Sequence, residues 1–290
     1  MTARDELAAA GLDPDRVAAA VAAAVAEDLP GEDVTSAATL DPTQKGWADL
    51  VARGDGVVAG LAVAELVLRQ VVGSDVEIER VASDGDRVAR GDVLLSVHGQ
   101  VPLLLTAERT ALNFLCHLSG VATATSRWVD ALAGTGARVR DTRKTTPGFR
   151  ALEKYAVRCG GGLNHRATLS DQALVKDNHV LAAGGVVPAY EAVRARYPDL
   201  PVQVEVTTLD QLRELLGVGA PEILLDNMGT ATMAEAVRVT AGRARLEASG
   251  GLTLERAREV AETGVDLIAV GAITHSAPVL DVAMDLRPAR

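Results

Sequence analysis

The chain has 290 residues, 29 of them basic and 39 acidic, which gives a formal net charge of −10. This length corresponds to one large domain or two ordinary ones. The acidic balance argues against a nucleic-acid binder and against an anionic membrane surface as partner. Two cysteines form no disulfide framework, no apolar run approaches the roughly 20 residues of a membrane helix, and the N-terminus lacks a basic signal-peptide region. We therefore expect a cytoplasmic protein.

The first hundred residues predict a mixed domain of helices and short strands. Asp13 and Pro14 form a helix start, and the alanine-rich run after them extends to about Asp28. Between 47 and 101, β-rich runs are interrupted by a helical pattern at 62–72. The predicted strands cover 48–52, 57–59, 76–81 and 93–97.

From residue 107 the pattern is helical, and Ser119-Gly120 predicts a break before a second helix at 122–132. Short apolar strands then alternate with helical segments, which indicates a parallel βα architecture. The predicted strands cover 138–141, 173–176, 202–206, 223–226, 245–248 and 267–270. The predicted helices cover 149–158, 187–196, 209–216, 231–240 and 254–263. Six strands rather than eight indicate an incomplete barrel, or strands that the pattern misses.

Charged residues stand at the carboxyl ends of five of these strands: Asp141, Lys176, Glu205, Asp226 and Glu247. Barrels of this type carry their active sites at this rim. A charge at the end of a buried strand is costly unless it is paired or used. The pattern favours an active site, although a structural ion pair explains any single one of these residues.

A cationic cluster lies in the same region of an otherwise acidic chain. Eight basic residues, against two acidic ones, fall between Arg138 and Arg166. Such a cluster is typical of a pocket for a small, multiply charged anion. Three of the eight, Arg150, Lys154 and Arg158, are spaced four residues apart and are interpreted as a solvated helix face.

Small residues follow the last two predicted strands, at Ser249-Gly250-Gly251 and at Gly271-Ala272. Small residues let backbone N–H groups approach a phosphate, and the final two βα loops are the usual phosphate site of such barrels. On adjacent strand ends, the carboxylates of Glu205 and Asp226 would suit Mg²⁺ held mostly through water and substrate. A salt bridge to a nearby cation is the alternative.

Long motifs across nearly the whole chain resemble the quinolinate phosphoribosyltransferase family, in the family's order. The motifs are ERTALN (108–113), DTRKTTPG (141–148), EKYAV (153–157), GGGLNHR (160–166), KDNH (176–179), LDNM (225–228), EASGG (247–251) and VGAITHS (270–276). One departure is Thr207, where many relatives carry a further acid. The missing acid is expected to weaken Mg²⁺ binding in the expected site slightly.

The resemblance implies an α/β fold with two domains. An N-terminal α/β sandwich is expected at 1–118, and an open, incomplete α/β barrel at 119–276, with a phosphate site at the C-terminal strand ends. The tail, 277–290, is expected to pack back on the sandwich. The resemblance also implies a homodimer with an active site shared across the interface.

The activity implied is that of a glycosyltransferase, more specifically a pentosyltransferase. Quinolinate and 5-phosphoribosyl 1-pyrophosphate would give nicotinate mononucleotide, pyrophosphate and CO₂, with Mg²⁺ as cofactor. This reaction is the entry of de novo NAD biosynthesis into the pyridine nucleotides.

The resemblance also assigns roles to matching positions. Substrate binding is implied for Arg109, Thr142, Arg143, Lys144, His165, Arg166 and Lys176, with Arg109 reaching the partner subunit's site. Phosphate binding is implied for Ser249, Gly250, Gly251, Val270, Gly271, Ala272 and His275. Catalytic roles are implied for Lys144, Lys176, Glu205 and Asp226, the last two with Mg²⁺, directly or through water.

Two alternatives stay open at this point. Lys176 at a strand end would also suit the Schiff-base lysine of a barrel aldolase, which needs a depressed lysine pKa and apolar surroundings. Some relatives belong to molybdenum-transport operons and have an unsettled activity. Retention of the whole cationic set and both carboxylates favours the phosphoribosyltransferase.

Overall fold

The computed structural model describes residues 2–287, in which the chain divides into two units. The first unit contains the residues up to Ala124, the segment Ala151–Gly161 and the residues from Ala277 onward, and the second contains Thr125–Arg150 and Gly162–Ser276. The sequence-based division differs from this one, because it places the whole of 119–276 in the barrel. No helix within residues 2–287 has the length and apolar character needed to span a membrane.

Three helices begin the first unit: α1 (Ala3–Ala9), α2 (Pro14–Asp28) and α3 (Val34–Thr39). The predicted start of α2 is confirmed. The Asp13 side chain accepts hydrogen bonds from the backbone N–H groups of Asp15 and Arg16, and Pro14 occupies the first turn, where no N–H is needed.

Antiparallel strands form the sheet of the first unit. The further elements of the first unit include β1 (Lys45–Ala52), β2 (Gly56–Val57), helix α4 (Leu61–Val72), β3 (Glu77–Arg80), β4 (Arg87–Val88), β5 (Val93–Gln100) and the C-terminal β12 (Val282–Leu286). The main sheet has the order β12-β1-β5-β3, and β2 pairs with β4. The C-terminal strand therefore completes the sheet of the first unit.

A single helix of 31 residues, α5 (Val101–Ala131), spans the predicted break at Ser119-Gly120, so that prediction is wrong. Both residues make tertiary contacts instead. A Cβ atom on Gly120 would lie 2.3 Å from the carbonyl oxygen of Pro278. The fully buried Ser119 hydroxyl accepts a hydrogen bond of 3.0 Å from the N–H of Ala59. Close packing, rather than a helix end, explains both small residues.

Six parallel strands form the sheet of the second unit: β6 (Arg138–Arg140), β7 (Ala173–Val175), β8 (Val202–Val206), β9 (Glu222–Asp226), β10 (Arg245–Ser249) and β11 (Leu267–Ala269). Their order is β6-β11-β10-β9-β8-β7. Within residues 2–287, β6 and β7 end this order and do not pair with each other. The predicted open, six-stranded α/β barrel is therefore confirmed.

Helices alternate with these strands: α6 (Arg150–Cys159), α7 (Asp177–Ala183), α8 (Val186–Arg196), α9 (Leu209–Gly217), α10 (Thr230–Thr240), a 3₁₀ turn (Leu254–Arg256), α11 (Ala257–Ala261) and α12 (Ala272–His275). The predicted solvated face on α6 is wrong for Lys154, which is buried. Consecutive residues 152–157 of α6 are all buried, so this helix is enclosed on every side there.

Gly120→Ala should destabilise the protein, because the added methyl group would meet backbone atoms of the C-terminal segment. We expect a loss of about 1–3 kcal/mol, as for other insertions into packed sites. Thermal and urea unfolding measure this loss.

Gly217→Ala is the matched control. Gly217 is the last residue of α9, and nothing lies within 4 Å of its Cβ position. Alanine there should be neutral or stabilising. Equal stability of the two variants would contradict the packing role of Gly120.

Candidate active site

A cavity of about 620 Å³ opens at the C-terminal ends of the strands of the second unit. Its wall includes predicted substrate-binding and catalytic residues, namely Thr142, Arg143, Lys144, His165, Arg166, Lys176, Glu205 and Asp226. A second cavity of about 190 Å³ shares part of this wall and is lined by the predicted phosphate residues Ser249, Gly250, Gly251, Val270, Gly271, Ala272 and His275. The structure thus brings these residues together, whereas Arg109 lies exposed on α5 in the first unit.

Two guanidinium groups give the larger cavity a cationic wall. The Nε atoms of Arg143 and Arg166 are buried and have no hydrogen-bond partner. Burial, followed by the charge of Arg143, lowers the pKa of Arg166. A buried donor without an acceptor is costly, and so are two like charges in one wall. An anion with more than one charge would relieve both costs.

Lys144 lines both cavities, and hydrogen bonds of its backbone N–H and carbonyl fix its position. Its N–H donates to the Thr142 hydroxyl at 3.0 Å, and its carbonyl accepts from the Thr274 hydroxyl at 2.7 Å. A Cβ on Gly271 would lie 3.0 Å from Lys144 Cδ, so glycine leaves room for the lysine side chain. Lys144 is therefore placed to contact a ligand that extends from one cavity into the other.

A carboxylate pair stands in the wall of the larger cavity. Burial, followed by the charge of Asp226, raises the pKa of Glu205 above its ordinary value. Lys176 Nζ lies 3.7 Å from Glu205 Oε2, with about half of the lysine side chain exposed. The alternative ion pair considered from the sequence is thus present, but it leaves the repulsion between the two carboxylates in place.

The loop after β10 needs glycine at position 250. Gly250 has a φ of +96°, and a Cβ there would lie 2.2 Å from Asn227 Oδ1. The N–H of Asn227 donates to the Ser249 carbonyl at 2.9 Å, which ties this loop to the end of β9. The backbone of the loop therefore borders the smaller cavity closely, as the phosphate prediction requires.

Two of the five charged strand ends, Asp141 and Glu247, are fully buried, so these two do not form an exposed charged rim with the others, although Glu247 also lines the larger cavity. Asp141 is fully buried and accepts hydrogen bonds from the His165 N–H at 2.8 Å and the Asn164 amide at 2.7 Å. Glu247 is fully buried and forms an ion pair with Arg140. A buried guanidinium needs such a counter-ion, which explains the position of Glu247.

The sequence analysis missed the polar side chains inside the barrel. Gln203 is fully buried, and its Nε2 donates to Glu247 at 3.0 Å. Arg140 also pairs with Glu222 at 2.7 Å. One signal was available, because Gln203 precedes Glu205 by two residues and lies on the same face of a short buried strand, and buried polar groups are almost always hydrogen-bonded.

The family model for the N-terminal domain of quinolinate phosphoribosyl transferase matches residues 33–119, and the model for the C-terminal domain matches residues 121–285. The chain belongs to the quinolinate phosphoribosyl transferase family. The resemblance seen in the sequence motifs is thereby confirmed, together with the α/β fold class.

Named members of this family are similar over almost their whole length. The carboxylating nicotinate-nucleotide pyrophosphorylase of Mycobacterium leprae is 51% identical over 268 residues, which cover 91% of this chain and 94% of that protein. The structure of NadC from Streptococcus pyogenes has a TM-score of 0.91 and 40% identity, and covers 94% of this chain and 97% of that one. The nicotinate-nucleotide pyrophosphorylase from Francisella tularensis has a TM-score of 0.90 and 36% identity, with 94% and 96% covered.

Glu205→Gln should stabilise the free protein at neutral pH. The fold raises the pKa of Glu205, so ionisation destabilises the folded state above that pKa and has no such effect below the unfolded value. The melting temperature of the variant should therefore exceed that of the wild type at neutral pH. The difference should shrink as the pH falls toward the ordinary value of 4.5.

Glu214→Gln on α9 is the control, since Glu214 is exposed. It should give no comparable gain. A melting temperature of Glu205→Gln at or below that of the wild type at neutral pH would show that the Lys176 ion pair outweighs burial and repulsion.

Proposed function

We propose that this chain transfers the phosphoribosyl group of 5-phosphoribosyl 1-pyrophosphate to quinolinate. The products would be nicotinate mononucleotide, pyrophosphate and CO₂, which makes the chain a pentosyltransferase of NAD biosynthesis. The observation that carries the proposal is the pair of buried, unpartnered guanidinium Nε atoms in the wall of the larger cavity, which adjoins a smaller, glycine-lined cavity. The names of the similar proteins support it.

Quinolinate carries two adjacent carboxylates, and the cationic wall matches that charge. Arg143 and Arg166 present planar guanidinium groups, which suit bidentate binding of a carboxylate. Lys176 adds a third, partly exposed cation in the same wall. A ligand with a single carboxylate would leave part of this charge without a partner.

The donor would occupy both cavities. Its 5′-phosphate would lie in the smaller one, against the backbone of Gly250, Gly251 and Gly271. Its pyrophosphate would lie toward Lys144, which lines both. This arrangement places the ribose between the phosphate loop and the cationic wall.

Mg²⁺ is part of the proposal, and the donor set in the wall fits it. Glu205 and Asp226 are hard oxygen ligands, and a divalent cation would offset both the burial and the nearby Asp226 charge, which in that order raise the pKa of Glu205. Residues 2–287 contain no group of three or more His, Cys, Asp or Glu side chains placed to hold a metal. Mg²⁺ commonly takes its remaining ligands from water and substrate phosphates.

Thr207, which replaces an acid common in relatives, does not extend this donor set. Its hydroxyl lies 3.3 Å from Gln211 Oε1 and donates to it. Glu205 and Asp226 would therefore hold the ion, which when bound supplies positive charge to the leaving pyrophosphate.

The chemistry follows from the charges of these residues. The bond from ribose C1 to pyrophosphate breaks as Lys144 neutralises the leaving group, and the carboxylates of Glu205 and Asp226 favour the cationic sugar. The pyridine nitrogen of quinolinate, whose carboxylates Arg143 and Arg166 would hold, forms the new bond to C1 with its free lone pair and becomes cationic. The C2–carboxylate bond then breaks, its electrons pass to the ring carbon, and a proton replaces CO₂. No covalent enzyme intermediate is needed.

The Schiff-base alternative has less support. Lys176 is half exposed, lies 3.7 Å from Glu205 Oε2, and shares its wall with Arg143 and Arg166. A nucleophilic amine needs desolvated surroundings that hold it neutral. Anion binding therefore describes Lys176 better.

The proposal also includes a homodimer and a cytoplasmic location. By family resemblance, Arg109 on α5 would complete the quinolinate pocket of the partner subunit. The composition, with two cysteines and no disulfide framework, fits a reducing compartment.

The protein should use quinolinate and reject nicotinate and nicotinamide. A site built for two carboxylates leaves charges unpaired when one is missing, so we expect kcat/KM to fall at least about 100-fold on nicotinate. Product formation with each of the three acceptors and the same donor measures this. Comparable turnover on nicotinate would contradict the assignment.

Glu205→Ala and Asp226→Ala should weaken the response to Mg²⁺ while the fold survives. We expect kcat/KM for the donor to fall by about 10-fold or more and the Mg²⁺ concentration at half-maximal rate to rise. Glu214→Ala, an exposed carboxylate on α9, is the control and should match the wild type. Normal rates across a Mg²⁺ titration in both site variants would refute the metal assignment.

Arg109→Ala and Lys144→Ala should complement each other if the site is shared. A mixed dimer would carry both defects in one site and neither in the other, so random exchange should restore about a quarter of wild-type activity. Native mass spectrometry verifies the mixed dimers. If verified mixed dimers stay inactive, the shared-site proposal loses its support.

A further inference from the structure

A chain of buried hydrogen bonds runs beneath the cationic wall and ends at Arg166. It links the Glu247 carboxylate, the Gln203 amide, the His165 ring and the backbone N–H of Arg166. Glu247 and Gln203 are fully buried, and His165 is 7% exposed. Glu247 and His165 line the large cavity themselves, so this chain connects the barrel interior to the pocket.

Glu247 determines which way the Gln203 amide faces. Gln203 Nε2 lies 3.0 Å from Glu247 Oε2 and must donate, since an ionised carboxylate only accepts. The Gln203 Oε1 atom therefore faces His165 Nε2, at 3.0 Å. Arg140 gives an independent check, because its Nη2 also lies 3.4 Å from this oxygen and a guanidinium only donates.

The amide in turn determines the tautomer of His165. Since Gln203 Oε1 accepts, His165 Nε2 carries the proton. The other ring nitrogen, Nδ1, lies 2.6 Å from the backbone N of Arg166 and accepts its hydrogen. Other charged groups near the ring are consistent with this assignment, since Glu247 Oε1 lies 3.8 Å from Nε2 and Asp141 accepts the backbone N–H of His165. Both ring nitrogens are thus engaged while the imidazole is neutral.

We propose that Gln203, oriented by Glu247, is a positioning residue that keeps His165 neutral with its proton on Nε2 and thereby anchors Arg166 in the substrate wall. His165 then shapes the wall without charge, and the cations that meet the substrate are Arg143, Arg166 and Lys176. A protonated imidazole would turn Nδ1 into a donor against the Arg166 N–H and would add a fourth cation. This inference rests on the proposed function only for the identity of the substrate.

The barrel offers a matched pair of carboxylates for the test. Glu247 and Glu222 both pair with the buried Arg140, but the hydrogen bond to the Gln203 amide is made by Glu247. Glu222 pairs instead with Arg245 on its other side. Glu222→Gln therefore disturbs the same arginine without breaking the link to His165, and it reports any merely structural effect.

Two variants address the link itself. Gln203→Met keeps the size and removes both hydrogen bonds. The double variant Gln203→Glu with Glu247→Gln restores them in reverse, because the new carboxylate accepts from His165, from Arg140 and from the new amide. Circular dichroism and thermal unfolding establish that each variant is folded.

We expect Gln203→Met to raise the KM for quinolinate about 3- to 10-fold, the size of one neutral hydrogen bond, with kcat within about twofold of the wild type. The double variant should restore the proton on His165 Nε2 but recover KM only in part, because a carboxylate beside the ring also favours the charged imidazole. Glu222→Gln should leave KM unchanged. An unchanged KM in Gln203→Met, or an equal rise in Glu222→Gln, would overturn the proposal.

Nitrogen-15 NMR of the five histidines tests the tautomer without any turnover. The His165 signals, assigned by their loss in His165→Gln, should show a protonated Nε2 and an unprotonated Nδ1 at neutral pH, and this pattern should weaken in Gln203→Met. A protonated Nδ1 in the wild type would refute the positioning role even if every variant unfolds. Absence of quinolinate turnover with the expected spectrum would instead refute the proposed function alone.

Discussion

The barrel depends on the burial of one guanidinium. Arg140 lies on β6, at one end of the strand order, and its carboxylate partners come from β9 and β10 across the interior. Within residues 2–287, no strand pairing closes β6 onto β7, so this ion cluster joins strands that backbone hydrogen bonds do not. Because an unpaired buried charge is far more costly than a paired one, the cluster favours a single arrangement of these strands.

The same cluster sets the floor of the site. One oxygen of Glu247 pairs with Arg140 and also accepts a hydrogen bond from the Gln203 amide. The same amide accepts a hydrogen bond from His165 and so connects the barrel interior to the cavity wall. Burial raises the pKa of Glu247, while the contacts with Arg140 and Gln203 oppose that rise. The cavity residues His165 and Arg166 are thus linked by hydrogen bonds to the fully buried Gln203 and Glu247.

Much of this architecture could be predicted from local pattern. The six barrel strands lie within about a residue of their predicted ends, because short apolar runs bounded by polar and small residues have few alternatives. Arg143, Lys144 and Arg166 of the basic cluster lie in one cavity wall with the glycine loop after β10, since parallel strands bring their carboxyl ends to one edge.

Predictions from sequence pattern were wrong where tertiary contacts determine a residue's conformation or burial. Gly120 has the local signature of a helix break, yet it lies inside α5, where it admits the backbone of Pro278. Lys154 fits a solvated stripe but is buried. Glu247 and Asp226 both look like charged strand ends, but only the structure reveals that Glu247 pairs with the buried Arg140, whereas Asp226 lies beside Glu205 in the cavity wall. Periodicity carries no information about such partners.

Charges of like sign stand near each other in the wall of the larger cavity. Two cations that disfavour each other, Arg143 and Arg166, share a wall with two carboxylates that do the same, Glu205 and Asp226. If the two sets were in contact, each would satisfy the other and the pocket would be an internal salt bridge. Instead the guanidinium Nε atoms keep no partner. The fold therefore maintains both repulsions in the free protein. An anionic acceptor would relieve the repulsion between the two arginines, and a divalent cation would relieve that between the two carboxylates.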